Sequence, residues 1–513
     1  MKRAISILML LVLATALCAC KGGTENGGTE SVYYGGKITV GITQDLDSLD
    51  PHKAVAAGTK EVLYNIFEGL IKVDKDGNFV PAVASSYEIS ADGLKYTFVL
   101  RDGVKFHNGK TVTAEDVIYS LKRAAGLSET PEADVSTVSA FKIISDITSE
   151  GKNVVVTLSS PNTELIGYFT SSIIPCDYTE QATKPVGTGP FKFVSYSPLT
   201  SIVLEKNEDY YVKGVPYLDE VTFKICANTD SAFLELLGGS IDVFPYLTND
   251  QAAQLKGVMN VVDGTMNLVQ ALFLNNAVAP FDNAKVRQAV CYAIDRKAII
   301  DVVAGGKGEV IGTNMFPSFA AYYEKDLVNS YPYDTAKAKE LLAEAGYADG
   351  FTFTITVPSN YDFHVRTAQI VVDQLAKVGI TAKIELVEWS TWLSDVYVGR
   401  QYTSTIIGLD SQLAPSDVLR FYPTESSKNF MNYSNTEFDA VFEKAKATTD
   451  SNEKIAYYKQ LQQILTADAA AAYLQSPAQL VAVSKNLDGY TFYPVYVQDM
   501  STIHFVTDPK VSK

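Results

Sequence analysis

Histidine is scarce in this chain, and the motifs of common enzymes are missing. Only four His occur among 513 residues, scattered at positions 52, 107, 364 and 504. The sequence has no HExxH pair, no GxSxG turn and no GxxxxGK(S/T) phosphate-loop motif. Those patterns bind a metal ion, position a nucleophile or bind a phosphate group, respectively. We therefore predict no catalytic residue, no metal site and no cofactor.

Basic residues are also in short supply. The chain has 43 Lys plus Arg against 59 Asp plus Glu, which gives a formal net charge of −16. A nucleic-acid partner requires a basic face, so we predict no such partner. Hydrophobic residues make up 47 % and charged residues 20 % of the chain, which is typical of a globular protein with a sizeable core. The 30 Tyr and 24 Phe hint at surfaces lined by aromatic rings.

Long apolar runs are confined to the N-terminus. Lys2 and Arg3 precede an apolar run at 5–17, which is shorter than the roughly 20 residues of a membrane-spanning helix and indicates a secretory signal. The run ends in Leu17-Cys18-Ala19-Cys20, which is similar to the bacterial lipobox, where a small residue precedes a lipidated Cys. We predict a signal peptide at 1–19 and lipidation of Cys20. An ordinary cleaved signal, with Cys20 incidental, is the alternative.

Residues 20–36 are rich in Gly, Thr and Glu, a composition that predicts a flexible tether. Removal of the signal takes away two positive charges and leaves −18 on the mature chain, so the lipid would do the anchoring. The remaining cysteines, Cys176, Cys226 and Cys291, are odd in number and widely spaced. They form no disulfide or metal-binding pattern, and whether two of them pair stays open.

Short alternating runs and amphipathic segments follow without a strict strand-helix rhythm. Alternation predicts strands at 37–42, 96–100 and 380–386. Helical spacing predicts helices at 58–70, 113–125, 286–294, 296–304 (N-capped by Asp295) and 365–378.

Several groups that resemble catalytic motifs favour structural interpretations. Gly187-Thr188-Gly189-Pro190 lacks the Lys of a phosphate loop and is interpreted as a turn. The acidic residues Asp45, Asp47 and Asp50 follow a strand and are interpreted as capping and turn residues in a solvated loop. His107 is interpreted as a structural histidine.

A series of blocks in the mature chain resembles one known family. The first is the stretch Phe98-Val-Leu-Arg-Asp-Gly-Val-Lys-Phe-His-Asn-Gly109, followed by Thr113-Ala-Glu-Asp-Val117. Later blocks include Gly187-Thr-Gly-Pro-Phe191, Leu204-Glu-Lys-Asn207, Pro216-Tyr-Leu-Asp-Glu220, Val286-Arg-Gln-Ala289 and Tyr292-Ala-Ile-Asp-Arg296. In this order they closely resemble the family 5 extracellular solute-binding proteins, the peptide- and nickel-type receptors of bacterial ABC importers.

The resemblance implies an α/β, two-lobed periplasmic-binding-protein clamp of type II, of the large peptide-receptor class. The first lobe would hold 37–272 and 476–513, with an inserted subdomain at about 79–185. The second lobe would hold 273–475, with crossings near 270–272 and 474–476. Two crossings of this kind let lobes close over a ligand.

The same resemblance implies a site for the ligand's ammonium group. Peptide receptors use an Asp in a loop after a strand, a few residues before a Pro, and Asp410 before Pro415 matches. Asp410 is one residue further from the Pro than in that pattern, and Gly408-Leu409 stand where an aromatic is common. Dipeptide receptors carry an Arg just before the position of Tyr361 for the ligand carboxylate, whereas this chain has Ser359-Asn360. A free dipeptide is therefore not the favoured ligand.

Three further residues match positions that line the pocket in peptide receptors or lie near it. Glu68 is one, with a solvated carboxylate as the alternative. Tyr473, beside the second crossing, is another, with core packing as the alternative. Trp389 is predicted near the cleft, while Trp392 is left to the lobe core. No His, Cys and carboxylate cluster suits nickel.

The combined prediction is a monomeric, lipid-anchored receptor at the outer face of the cytoplasmic membrane. It would capture a small peptide or amine-bearing solute and deliver it to separate permease and ATPase subunits of an ABC importer. A surface sensor or adhesin that uses the same clamp, and a secreted hydrolase on a similar scaffold, are the alternatives. The missing catalytic residues argue against the hydrolase.

Overall fold

A computed structural model describes residues 32–129, 132, 134–265, 267–359, 361–411 and 414–509. The predicted signal peptide, Cys20 and most of the predicted tether lie outside these residues. Within the described ranges, no helix has both the length and the apolar character needed to cross a bilayer.

The first lobe is built on a mixed sheet in which β1 runs parallel to β10 and β11. Its strands are β1 (Lys37–Ile42), β2 (Ile71–Val73), β3 (Phe79–Pro81), β4 (Ala84–Ile89), β5 (Lys95–Leu100), β6 (Ile144–Glu150), β7 (Asn153–Leu158), β8 (Phe191–Ser197), β9 (Ser201–Lys206), β10 (Glu220–Ile225), β11 (Val243–Phe244) and β12 (Asn260–Thr265). Its α-helices are α1 (Ala57–Leu63), α2 (Ala114–Ala125), α3 (Thr229–Leu237) and α4 (Asn249–Leu255), with 3-10 turns at Ser139–Ile143 and Leu165–Thr170.

The second lobe is built on a sheet in which β15 runs parallel to β16 and β17. Its strands are β13 (Val269–Leu274), β14 (Gly308–Val310), β15 (Thr352–Pro358), β16 (Thr381–Val387), β17 (Ser404–Leu409) and β18 (Ala471–Val483). Its helices are α5 (Ala284–Ala293), α6 (Arg296–Val303), α7 (Thr335–Glu344), α8 (Asp362–Ala376), α9 (Trp389–Thr391), α10 (Pro415–Leu419), α11 (Thr436–Ala447) and α12 (Ser451–Ala467), with a 3-10 turn at Lys325–Asn329 and a π-helix at Trp392–Val398. The chain then returns to the first lobe with β19 (Leu487–Asp488) and β20 (His504–Phe505).

The long strand β18 belongs to both lobes. Its first part pairs with β13 and β14 of the second lobe, ending at Pro477 opposite Gly308. From Ala478 onward it pairs with β12 and then β11 of the first lobe. The other crossing lies between Thr265, where β12 ends, and Val269, where β13 begins. Two adjacent connections therefore join the lobes, and the domain limits given above stay predictions.

The first-lobe part of the chain also forms a separate antiparallel sheet, in the order β4-β5-β7-β6. Helix α2 packs on it, and the apolar faces of both enclose a core around Phe98, Phe141 and Phe169. The two main sheets have apolar clusters on both faces, as expected for sheets covered by helices on each side.

Several local predictions are confirmed, among them the helix at 113–125 and the N-cap at Asp295. Helix α2 begins with a capping box in which Thr113 and Asp116 exchange hydrogen bonds, and it ends at Gly126 in the left-handed conformation. Asp295 caps α6 by accepting from the Ala298 amide. Such signals are local, so they can be identified without knowledge of the fold.

Two predictions are wrong. The helix expected at 58–70 ends at Leu63, because the carbonyl oxygens of Asn65 and Ile66 accept from the Phe191 and Gly189 amides and not from amides further along a helix. The buried Asn65 side-chain amide also donates to the carbonyl oxygens of Val62 and Gln498. Asp50 does not lie in a solvated loop. Its carboxylate is buried and accepts two hydrogen bonds from Arg123, at 2.8 and 2.9 Å.

Candidate functional site

The carboxyl ends of the parallel strands define a candidate cleft between the lobes. In open α/β sheets ligands bind beyond these ends. In the second lobe β15, β16 and β17 end just before Tyr361, Trp389 and Asp410. In the first lobe β11 ends just before Tyr246. In both sheets, polar or aromatic residues therefore follow the carboxyl ends of the parallel strands.

Asp410 is exposed to solvent where β17 ends. Within the described part of the chain, no hydrogen bond or ion pair to its carboxylate is found. The neighbouring Ser411 hydroxyl is shielded from solvent and likewise has no partner there. An exposed carboxylate without a cation is available to a ligand ammonium group.

Tyr496 lies in the returning segment of the first lobe and is influenced by carboxylates of both lobes. Burial raises the pKa of its phenol, and the negative charges of Asp410 and Glu61 raise it further. Asp410 lies in the second lobe and Glu61 in the first. Tyr496 therefore lies within electrostatic range of one carboxylate from each lobe.

Glu61 lies on α1 and is 3 % exposed. Its carboxyl group accepts a hydrogen bond from the Tyr246 hydroxyl. Burial raises the pKa of Glu61 to about 7, against the lowering effect of that hydrogen bond. The first-lobe wall thus contains a carboxyl group that is largely protonated below neutral pH.

Glu68 is buried, so its solvated interpretation is wrong. Its carboxylate accepts from the hydroxyls of Tyr210 and Tyr211 at 2.7 and 2.9 Å and from Thr188 at 3.3 Å. Lys72 approaches within 3.8 Å. Burial raises the pKa of Glu68, while Lys72 and the hydroxyls oppose the rise. Much of its hydrogen-bonding capacity is already used, and its contact with a ligand stays a prediction.

The two tryptophans stack, but only one remains partly open. Trp389 lies 5.1 Å from Trp392, with the rings nearly parallel, and meets Tyr361 edge to face at 5.4 Å. Trp392 is buried and its indole donates to the Thr405 hydroxyl. Trp389 is half-buried. It adjoins Tyr361 at the strand ends, where an aromatic wall could contact a ligand.

Tyr473 lies within the core of the second lobe. It is 5 % exposed and its hydroxyl donates to that of Tyr422 at 3.1 Å. The structure does not show it beside Asp410 or Glu68, and a ligand-binding role for it stays a prediction.

A buried amide network, which the sequence did not reveal, lies at the crossing strands. Gln270 bonds with His364 at 2.8 Å and accepts from Gln475 at 2.8 Å and from Thr367 at 3.3 Å. Burial lowers the pKa of His364 to about 3, so this imidazole is neutral at physiological pH. The network joins both crossings to α8, whose first turn follows Tyr361.

The remaining sequence candidates have structural roles. His107 bonds through one ring nitrogen to the Gly189 carbonyl and through the other to the Gly187 amide, so the structural interpretation of His107 is confirmed. Asp47 accepts from the amides of Val55 and Ala56, which confirms its turn role. Cys176, Cys226 and Cys291 are free thiols. In the described ranges, no group of three or more His, Cys, Asp or Glu residues could hold a metal.

Comparison with known proteins identifies the class. The family model described as "Bacterial extracellular solute-binding proteins, family 5 Middle" matches residues 78–432. The chain belongs to this family, and it has the family's large two-lobed clamp fold.

The relatives cover nearly the whole chain. The oligopeptide-binding protein AppA of Bacillus subtilis is 28 % identical over 96 % of this chain and 97 % of its own. The glutathione-binding protein GsiB of Pectobacterium atrosepticum is 31 % identical over 89 % and 91 %. Among solved structures, the periplasmic binding protein DppA of Helicobacter pylori, in complex with the peptide STSA, is 29 % identical, with a TM-score of 0.80 over 93 % of this chain and 99 % of that one. The protein is a bacterial solute-binding protein.

Proposed function

We propose that the protein is the receptor of an ABC importer that captures a small peptide or amine-bearing solute in the interlobe cleft. Asp410 is the residue that pairs with the ligand's ammonium group. The observation that carries this proposal is the exposed carboxylate of Asp410 at the end of β17. The oligopeptide, glutathione and STSA binding of the relatives supports the same ligand class.

The charges around the cleft support a ligand that carries a cation. Asp410 and Glu61 act on Tyr496 from opposite lobes, and Glu68 lies within the first lobe beside Lys72. Acidic side chains on both lobes favour an ammonium group over an isolated carboxylate as the ligand's charged group. The absence of an Arg just before Tyr361 argues in the same direction against a free dipeptide.

The aromatic residues supply the remaining contact surface. Tyr361 and the half-buried Trp389 form an edge-to-face pair at the strand ends. Aromatic rings provide apolar area and can contact a ligand cation through their faces. Contacts of this kind do not depend on which side chains the ligand carries. They therefore suit a receptor that recognises the backbone and the terminal ammonium group of its ligand.

The proposal includes where the protein works. Cys20 would carry the lipid, residues 20–36 would be the tether, and the folded clamp would work as a monomer at the outer face of the cytoplasmic membrane. There it would deliver the solute to permease and ATPase subunits. The signal-like N-terminus of the sequence and the extracellular character of the family support this placement.

Calorimetry on Asp410→Asn tests the site. Native mass spectrometry of gently purified protein would first identify a retained ligand. The substitution is expected to weaken binding of that ligand by roughly a hundredfold to a few thousandfold, because it leaves an ammonium group unpaired in a closed cleft, at a cost of about 3–5 kcal/mol. Asp373→Asn, which removes the same charge from an exposed position of α8, is the matched control. Equal affinity for wild type and Asp410→Asn would reject Asp410 as the ammonium site.

A further inference from the structure

A cluster of polar contacts joins the inserted subdomain directly to the second lobe. Glu164 precedes the 3-10 turn at Leu165–Thr170 in the first lobe. One oxygen of its carboxylate accepts from the Ser416 amide at 3.0 Å, and the other accepts from the Tyr458 hydroxyl at 2.6 Å. The Lys454 ammonium lies 3.5 Å from the same carboxylate. All three partners belong to the second lobe.

The Glu164–Lys454 pair is shielded from water. Both side chains are 7 % exposed, and the Lys454 ammonium also contacts the Thr163 hydroxyl. Tyr458 is fully buried. A buried carboxylate and a buried ammonium group both lose hydration. The free-energy cost of that loss is offset only while both partners and their hydrogen bonds are present.

A second contact lies beside the first. The Tyr168 hydroxyl of the subdomain donates to Asp417 of the second lobe at 2.8 Å, and Asp417 also pairs with Arg420 at 2.5 Å. Ser416 and Asp417 lie at the start of α10, six and seven residues after Asp410. The interface therefore contacts the segment that follows the proposed ammonium site.

These contacts differ from those at the crossings. One contact between the lobes near the crossing strands is the hydrogen bond that the Ser318 hydroxyl of the second lobe donates to the Asn267 side chain, at 2.6 Å. That contact is next to β13, about which the lobes would turn. The Glu164 cluster instead connects an inserted unit, outside the crossing strands, to helices α10 and α12. Rotation of one lobe about the crossings would break the Glu164 cluster apart and expose the charges of Glu164 and Lys454 to water.

We propose that Glu164 is a positioning residue that holds the clamp closed by pairing with Lys454, Tyr458 and Ser416, and that it sets the closed population before any ligand binds. This inference rests on the proposed function in that it assumes a clamp that opens and closes. It requires no particular ligand. A ligand that enters the cleft then needs to supply only part of the free energy of closure.

Interlobe distances in ligand-free protein test the proposal. Spin labels at Lys142→Cys in the subdomain and Lys444→Cys in α11 use exposed positions. Cys18, Cys20 and Cys176 are changed to Ser so that the labels are specific, while Cys226 and Cys291 are buried. Pulsed electron–electron double resonance on this full chain measures the distribution of distances between the two labels, from which the open and closed fractions follow.

The wild-type chain is expected to show both a short and a long distance. Glu164→Gln should lower the closed-to-open ratio on the order of a hundredfold, since it leaves the Lys454 ammonium buried without its anion only in the closed form. The double variant Glu164→Gln/Lys454→Met should recover part of this loss, because no unpaired charge remains. Glu340→Gln, which breaks the exposed pair with Lys337, is the matched control and should leave the distances unchanged.

A purely structural role would predict a different result. Glu164→Gln would then lower the thermal unfolding temperature while the distance distribution stayed as in the wild type, and Lys454→Met would give no recovery. That outcome, or a wild-type chain with only the long distance, would overturn the proposal. A protein that shows the expected distances yet binds no amine-bearing solute would instead contradict the proposed function alone.

Discussion

The buried Glu61 carboxyl should make the stability of the first lobe depend on pH. Its pKa is raised to about 7 from an ordinary value of 4.5. Below pH 4.5 the carboxyl is protonated in both the folded and the unfolded chain. Between pH 4.5 and 7 the unfolded chain ionises while the folded protein keeps its proton, so the free energy of unfolding falls as pH rises. Above pH 7 the full penalty is present, and at 1.36 kcal/mol per pKa unit it amounts to about 3 kcal/mol.

Glu61→Gln removes this penalty while keeping the side-chain shape and an acceptor for Tyr246. The variant is expected to match the wild type near pH 4.5 and to exceed its free energy of unfolding by about 3 kcal/mol at pH 8. Urea unfolding of both chains at a series of pH values measures the difference. Glu340→Gln, at an exposed position, serves as the control. A difference between Glu61→Gln and wild type that stays constant from pH 4.5 to 8 would refute the reasoning.

The remaining predictions concern packing and anchoring. A Cβ added at Gly187 would fall inside contact distance of the Ile66 carbonyl oxygen, so Gly187→Ala should lower the free energy of unfolding by about 1–3 kcal/mol or more in urea unfolding. Gly238→Ala, whose Cβ would lie 3.4 Å from its nearest neighbour, should cost far less, and equal effects would contradict the packing argument. Cys20→Ser should shift the protein from membranes to the medium on cell fractionation. Intact-mass analysis of the membrane-bound wild type should show a diacylated N-terminal Cys20, and an unmodified N-terminus would contradict the anchor.

Local signals in the sequence were sufficient to predict several structural elements. The helix predicted at 113–125 and the Asp295 cap depend on residues within a few positions of one another. The structural interpretation of His107 also held, although its partners at Gly187 and Gly189 lie far along the chain. The order of the family blocks indicated the fold, because such blocks belong to one architecture.

What the sequence could not reveal depends on contacts between distant segments. The pairing of Asp50 with Arg123 and the burial of Glu68 by Tyr210 and Tyr211 are long-range contacts that no local spacing shows. The contact of Glu164 with Lys454 joins segments almost three hundred residues apart.

The central claim is that the cleft recognises a ligand ammonium group through Asp410, and rebinding of a blocked ligand tests it most directly. The ligand released from purified protein would be acetylated at its amine, and its affinity for the wild type would be compared by calorimetry with that of the untreated ligand. The account predicts that acetylation weakens binding by roughly a hundredfold to a few thousandfold. An acetylated ligand that binds as tightly as the free amine would contradict it.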